Sequence, residues 1–268
     1  MAECVSRQEF VCADFCRRCM FHVKRSIDSL DLVEAQASAW GLRLDHDRRG
    51  RLQAYAGLLA LYDQANVIGT KEMDRILLDH VLDSFSCFLH EPLFRARRLA
   101  DVGSGGGLPG IPIKIMKPDL ATTLVESTGK KAKFLRHAVD SLSLRGVEVV
   151  NGRVEDLGRT QGHRGVYDVV TCRAVARLSV VAEYCVPLLE GGGRAIAMKG
   201  RLEPEELAEG DRAVDALGAK VAEITRVPML PEVGEKERNL VILEKIGDTA
   251  TRYPRRSGIV AKRPLGAG

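Results

Sequence analysis

No stretch of this 268-residue sequence stays apolar for the roughly eighteen residues that crossing a bilayer takes. The N-terminus also lacks the basic-then-apolar layout of a secretory signal, so a cytoplasmic protein without a membrane span is expected. Neither an internal repeat nor a low-complexity segment appears, which argues against a solenoid or a fibrous chain. A dominant charge is missing as well: 40 Lys and Arg against 36 Asp and Glu leave a net +4. That is too little to demand a nucleic-acid partner, though it suits a locally basic face. A chain this long, 45% hydrophobic, can bury one sizeable core and a small accessory region, hardly two full domains.

Paired metal-ligand spacing is absent too. Four of the seven cysteines, Cys4, Cys12, Cys16 and Cys19, crowd the first nineteen residues. Their gaps do not form two close pairs, and only His22 lies nearby, so no metal is expected. Residues 1–28 read as a poorly ordered leader or a mis-assigned start; translation from Met20 would remove all four thiols. Cys87, Cys172 and Cys185 sit in apolar contexts and read as ordinary buried thiols.

What is present divides into two styles. From Ser29 to Leu89 apolar residues recur at helical spacing: Leu30, Val33, Ala37 and Trp40; Leu52, Tyr55, Leu58, Leu59 and Tyr62; Leu77, Val81, Leu82, Phe85 and Phe88. Gly41 and the turn residues Asn66 to Thr70 separate these stretches. After Arg98, short apolar runs alternate with amphipathic helices, the pattern of a parallel α/β sheet covered on both faces. Strands are predicted at Leu99–Val102, Ala121–Glu126, Val147–Asn151, Tyr167–Cys172 and Arg194–Lys199. Helices fall between them, including one from Val175 to Leu189 that Gly191-Gly192-Gly193 ends. Lys220–Val227 and Arg238–Lys245 read as an antiparallel pair closing one edge, which makes a mostly parallel seven-stranded sheet.

The first strand runs into Asp101-Val102-Gly103-Ser104-Gly105-Gly106-Gly107-Leu108-Pro109-Gly110. Backbone without side chains lets a nucleotide-like ligand pack against the end of a strand. Gly105 to Gly110 fits the dinucleotide pattern G-x-G-x-x-G, so a nicotinamide oxidoreductase is one reading. Three features favour a methyltransferase. Asp101 gives the D-x-G-x-G arrangement, Pro109 and Pro112 remove N–H donors that a pyrophosphate would want, and the strand pair replaces a second nucleotide-binding half. Glu126, ending the second strand, is placed to accept hydrogen bonds from ribose hydroxyls. Arg153-Val154-Glu155-Asp156 follows the third strand, where such folds lodge adenine.

The loop and its Leu108-Pro109-Gly110-Ile111-Pro112 ending resemble the RsmG (GidB) family of bacterial 16S rRNA guanine-N7 methyltransferases. The likeness continues through Glu126-Ser127, Gly129-Lys130-Lys131, Phe134-Leu135, Arg153-Val154-Glu155, Arg173-Ala174-Val175-Ala176 and Lys199-Gly200. It also reaches His80 with Asp83-Ser84, and Tyr253-Pro254-Arg255-Arg256 with Ala261-Lys262-Arg263-Pro264-Leu265, so it spans Leu52 to Leu265. Asn66-Val67-Ile68 stands where the family commonly has Asn-Leu-Thr, and Asp79 where it has a basic residue.

The resemblance implies a Rossmann-like class I S-adenosylmethionine-dependent methyltransferase fold: a helical region at 29–95, the methyltransferase domain at 96–247 and a basic tail at 248–268. It implies S-adenosylmethionine held by Gly103, Gly105, Leu108, Glu126, Val154, Glu155 and Arg173, with Arg173 also catalytic. Arg153, Lys199, Arg255 and Arg256 would face RNA, the acceptor being a guanine of the 530 loop in 16S rRNA or in a small-subunit particle; a monomer is expected. N7 carries a lone pair and no proton, so alignment matters more than a general base. No Asn-Pro-Pro-Tyr type motif follows the fourth strand. Basic clusters at Arg95, Arg97 and Arg98, at Lys130, Lys131, Lys133 and Arg136, and along the tail offer phosphate contacts. A non-catalytic ribosome-binding protein remains an alternative, and it would be expected to carry a broken glycine loop.

Overall fold

The computed structural model describes residues 28–234 and 237–267; the leader and its four cysteines lie outside the described residues. Seven strands form one sheet: β1 (Arg98–Val102), β2 (Ala121–Glu126), β3 (Val147–Asn151), β4 (Tyr167–Arg173), β5 (Leu189–Lys199), β6 (Ala219–Arg226) and β7 (Asn239–Lys245). Their order is β3-β2-β1-β4-β5-β7-β6. β1 to β5 are parallel, while β7 pairs antiparallel with both β5 and β6. The order reverses between β1 and β4, and the crevice at their carboxyl ends is where open sheets bind ligands.

Alternation along the strands separates two apolar layers. Leu99, Val169, Ile196, Leu240 and Ile242 face one layer with the N-terminal helices Ser29–Ala39 and His46–Leu61 and the helices Gly110–Met116 and Gly129–Ser141. Ala100, Val102, Val170, Ala195, Val241 and Leu243 face the other, with Leu178–Cys185, Pro204–Ala216 and Tyr253 of the tail. Side-chain caps start both front helices: Asp28 accepts from the Leu30 N–H at 3.2 Å and Asp45 from the Arg48 N–H at 2.9 Å. Arg49 then ties them together through Asp31 and Glu34, both at 2.7 Å.

Three sequence-based boundaries shift. The helix expected from Val175 begins at Leu178, because Ala174 takes a left-handed conformation (φ 53°) and residues 174–177 stay irregular. It ends at Cys185, and β5 already starts at Leu189; Tyr167 pairs with Leu189 and Val169 with Arg194, so the glycine run loops out inside the strand. The third helical stretch, Met73–Leu89, is not uniform either. Its Ile76–Val81 segment is π-helical, a wider turn that often marks a functional site.

Candidate cofactor and acceptor site

The glycine loop is fastened from three directions. Asp101 is fully buried within β1 and accepts from the Gly110 N–H at 3.2 Å and the Thr171 hydroxyl at 2.9 Å, joining both ends of the loop to β4. Burial pushes its carboxyl up to about 6 even though these bonds favour the anion. Glu126 clasps the loop from β2, its carboxylate accepting from the Gly105 N–H at 2.9 Å and the Thr128 N–H at 2.7 Å. From the front helices, the buried Tyr55 hydroxyl donates to the Gly106 carbonyl at 2.6 Å. At Gly110 a Cβ would meet Leu124 Cδ2 at 2.5 Å and Asp101 Oδ2 at 2.9 Å, so only glycine lets the helix start sit against the strand.

Beside this loop lies a cavity of about 240 Å³ lined by Val102 and Gly103, by Gly152, Arg153, Val154 and Glu155, by Val175 and Ala176, by Tyr184 and by Ala261. Gly103 has φ +71°, and a Cβ on it would lie 2.7 Å from Val175 Cγ2. The backbone can be approached here as no larger residue would allow. Glu155 is 2% exposed. Burial, then the Glu155 carboxylate, raises the Tyr184 hydroxyl to about 12, so it stays a neutral hydrogen-bonding group. Apolar walls, bare backbone and a few polar groups at a strand end suit a nucleoside-like cofactor.

Gly103, Arg153, Val154 and Glu155 of the expected residues thus converge. Gly105, Leu108, Glu126 and Arg173 are not among the lining residues. Gly105 and Glu126 are engaged with each other, and Leu108 is 5% exposed and packs within the core layer of the front helices.

Across residues 173–176 a second, larger cavity of about 450 Å³ opens, and its walls are charged. Arg173 and Lys199 line it with Asp79 and His80 of the π-helical segment, with Asp83 just after it, and with Glu237 and Arg238 near β7. Asp83 bridges two arginines, Arg173 at 3.2 Å and Arg238 at 2.8 Å. Lys199 pairs with Glu206 at 2.6 Å and donates to the Ala176 carbonyl at 2.8 Å, linking the walls of the two cavities.

The basic clusters are distributed differently from the sequence expectation. Arg95, Arg97 and Arg98 sit at the amino end of β1, across the sheet from both cavities, with Arg95 paired to Glu91 at 2.8 Å. Arg255 is not a free RNA handhold: its guanidinium meets the fully buried Glu183 carboxylate, with Nη2 to Oε2 at 2.6 Å. Arg153 and Arg256 are exposed. Cys87, Cys172 and Cys185 are buried free thiols, which fits packing and leaves Cys172 no nucleophilic role. Tyr184, Ala261 and Arg238 were missed by sequence reasoning. They come from a helix face, the tail and the approach to β7; Ala261 falls in a stretch the resemblance covers, but nothing there marks it as a cavity residue. No helix among the described residues is long and apolar enough to cross a membrane.

The family model for rRNA small subunit methyltransferase G (GidB) matches residues 48–241, well over half the chain. A protein named ribosomal RNA small subunit methyltransferase G from Rubrobacter xylanophilus is 56% identical over 249 residues, covering 92% of this chain and 95% of that one. One of the same name from Roseiflexus is 40% identical, covering 88% of this chain and 100% of its own length. Among solved structures, the 16S rRNA (adenine(1408)-N(1))-methyltransferase of Catenulisporales acidiphilia shares 16% identity at a TM-score of 0.47, covering 62% of this chain and 93% of that one. On the extent of the family match and the identity to its members, the chain belongs to the rRNA small subunit methyltransferase G (GidB) family and is an S-adenosylmethionine-dependent methyltransferase.

Proposed function

We propose that the chain methylates N7 of one guanine in 16S rRNA, that of the 530 loop, acting as a monomer in the cytoplasm on naked rRNA or on the small-subunit particle. The names of the relatives, ribosomal RNA small subunit methyltransferases, support this substrate. The observation that carries it is the meeting of an apolar, backbone-lined cavity with a charged one along residues 173–176.

When bound, S-adenosylmethionine supplies an electrophilic sulfonium methyl. Gly103, Val154, Glu155 and Tyr184 would hold it, and the clasped loop keeps that wall rigid. The acceptor guanine belongs in the larger cavity. No general base is required for N7, and the buried carboxyls at the loop, Asp101 and Glu126, are committed to structural bonds and unavailable as one. What the chain supplies is orientation, and a setting for the positive charge the purine gains. Asp79, Asp83 and Glu237 place carboxylates around that cavity, while Arg173 and Lys199 fix its boundary with the cofactor. Exposed Arg153 and Arg256 serve phosphates.

The test is mass spectrometry of 16S rRNA from cells with and without the gene. Loss of a single N7-methylguanine, restored by the intact gene and not by an Arg173→Gln copy, is expected. An unchanged N7-methylguanine inventory would refute the proposal.

A further inference from the structure

The tail looks like an RNA arm by composition, yet the structure packs it against the cofactor side of the sheet. Arg164 donates to the carbonyls of Tyr253 at 2.6 Å and Thr249 at 2.8 Å, and Arg159 to that of Pro254 at 2.8 and 2.6 Å. Pro254 seats on Gly158, where a Cβ would come within 2.9 Å of its ring, only four residues after Val154 of the cofactor wall. Arg255 then makes the firmest attachment. Its backbone N–H and Nε donate to Glu183 Oε1 at 2.7 and 2.9 Å, and its Nε and Nη2 to Oε2 at 3.1 and 2.6 Å. The Glu183 side chain is 0% exposed and the Arg255 side chain 24%. Beyond this clamp the helix Ile259–Lys262 buries Val260 and turns Ala261 to the cofactor cavity. Glu183 itself adjoins Tyr184, which lines the same cavity.

A chain segment that lines a cavity and is fastened this way contributes a wall. We propose that the 253–262 segment is a wall of the S-adenosylmethionine site and that Glu183 and Arg255 are its positioning pair. The tail's basic residues thus serve the cofactor first, through Arg255, and RNA only through exposed neighbours such as Arg256 and Lys262. Removing Arg255 leaves a carboxylate buried without its cation, the costly way to break such a pair. The wall then detaches.

Three full-length variants test the assignment, with S-adenosylhomocysteine affinity measured by calorimetry, transcribed 16S rRNA affinity by filter binding, and thermal unfolding alongside. Arg255→Met is expected to weaken S-adenosylhomocysteine binding about tenfold while rRNA affinity stays within about twofold. Adding Glu183→Gln removes the stranded charge and recovers part of the loss. Ala261→Phe, at an exposed position that leaves the clamp intact, intrudes on the cavity from the tail and weakens the same ligand about tenfold without lowering the melting temperature. If Arg255→Met fails to fold, Ala261→Phe alone decides. S-adenosylhomocysteine affinity within twofold of wild type in the folded variants overturns the assignment, whether or not rRNA binding changes.

Discussion

The two cavities that meet at residues 173–176 are built by opposite means. The proposed cofactor side is mostly main chain and apolar side chains, joined by Arg153, Glu155 and Tyr184, and behind it Asp101, Glu126 and Tyr55 all act by bonding loop backbone. The proposed acceptor side is edged by side-chain charges that hold one another, Asp83 between Arg173 and Arg238, and Lys199 against Glu206. One wall is set by what backbone can approach, the other by what charges can balance. A ligand common to a whole class of enzymes needs the first kind of wall, and a charged polynucleotide carrying one chosen base needs the second.

Substitutions should separate the two. The largest effect is expected at Gly103→Val, whose side chain collides with Val175 and whose φ of +71° penalises any Cβ. S-adenosylhomocysteine binding should fall at least about 100-fold by calorimetry, while rRNA binding persists. Arg173→Gln should do the converse, lowering single-turnover methyl transfer by about 100-fold with cofactor affinity within threefold. Equal losses in both variants would dissolve the distinction between the walls.

Asp101 gives a pH test of the cofactor wall. Its folded-state value of about 6 lies above the unfolded carboxylate range, so the folded protein binds more protons between about pH 4 and 6. The contribution from this group is therefore greatest below that window and declines as pH rises through it, by on the order of 2–3 kcal/mol. Urea unfolding of wild type minus Asp101→Asn, measured from pH 4 to 7, should show that decline, and a flat difference would contradict it. The smallest effect is expected at exposed Arg256→Gln. It should weaken rRNA about two- to threefold and reduce the salt slope by about one, leaving cofactor binding untouched.

The same contrast explains what could be read in advance. The glycine loop, the strands and the antiparallel closing pair were legible, and Gly103, Val154 and Glu155 do line one cavity, because backbone constraints leave residue types at fixed local spacing. Arg173 and Lys199 were legible through strand ends. Their pairings were not, since Asp83 lies 90 positions from Arg173 and is shared with Arg238, and a salt bridge writes no local pattern. The position of the Arg95–Arg98 cluster was not legible because charge counts carry no direction; only the strand polarity puts it at the amino end of β1. The pairing of Arg255 was not legible for a related reason, because basic composition cannot show that a buried Glu183 awaits it.

The Tyr55 hydroxyl on the Gly106 carbonyl reaches further than its single bond. It lies in an apolar layer that runs without a break from Leu30 through Phe88 to Ile111 and Phe134. The turn near residue 95 is therefore a seam in the text of the chain and not in its substance. A shortened gene beginning there would encode half of a shared interior, and its product should collect in inclusion bodies, not in the soluble fraction.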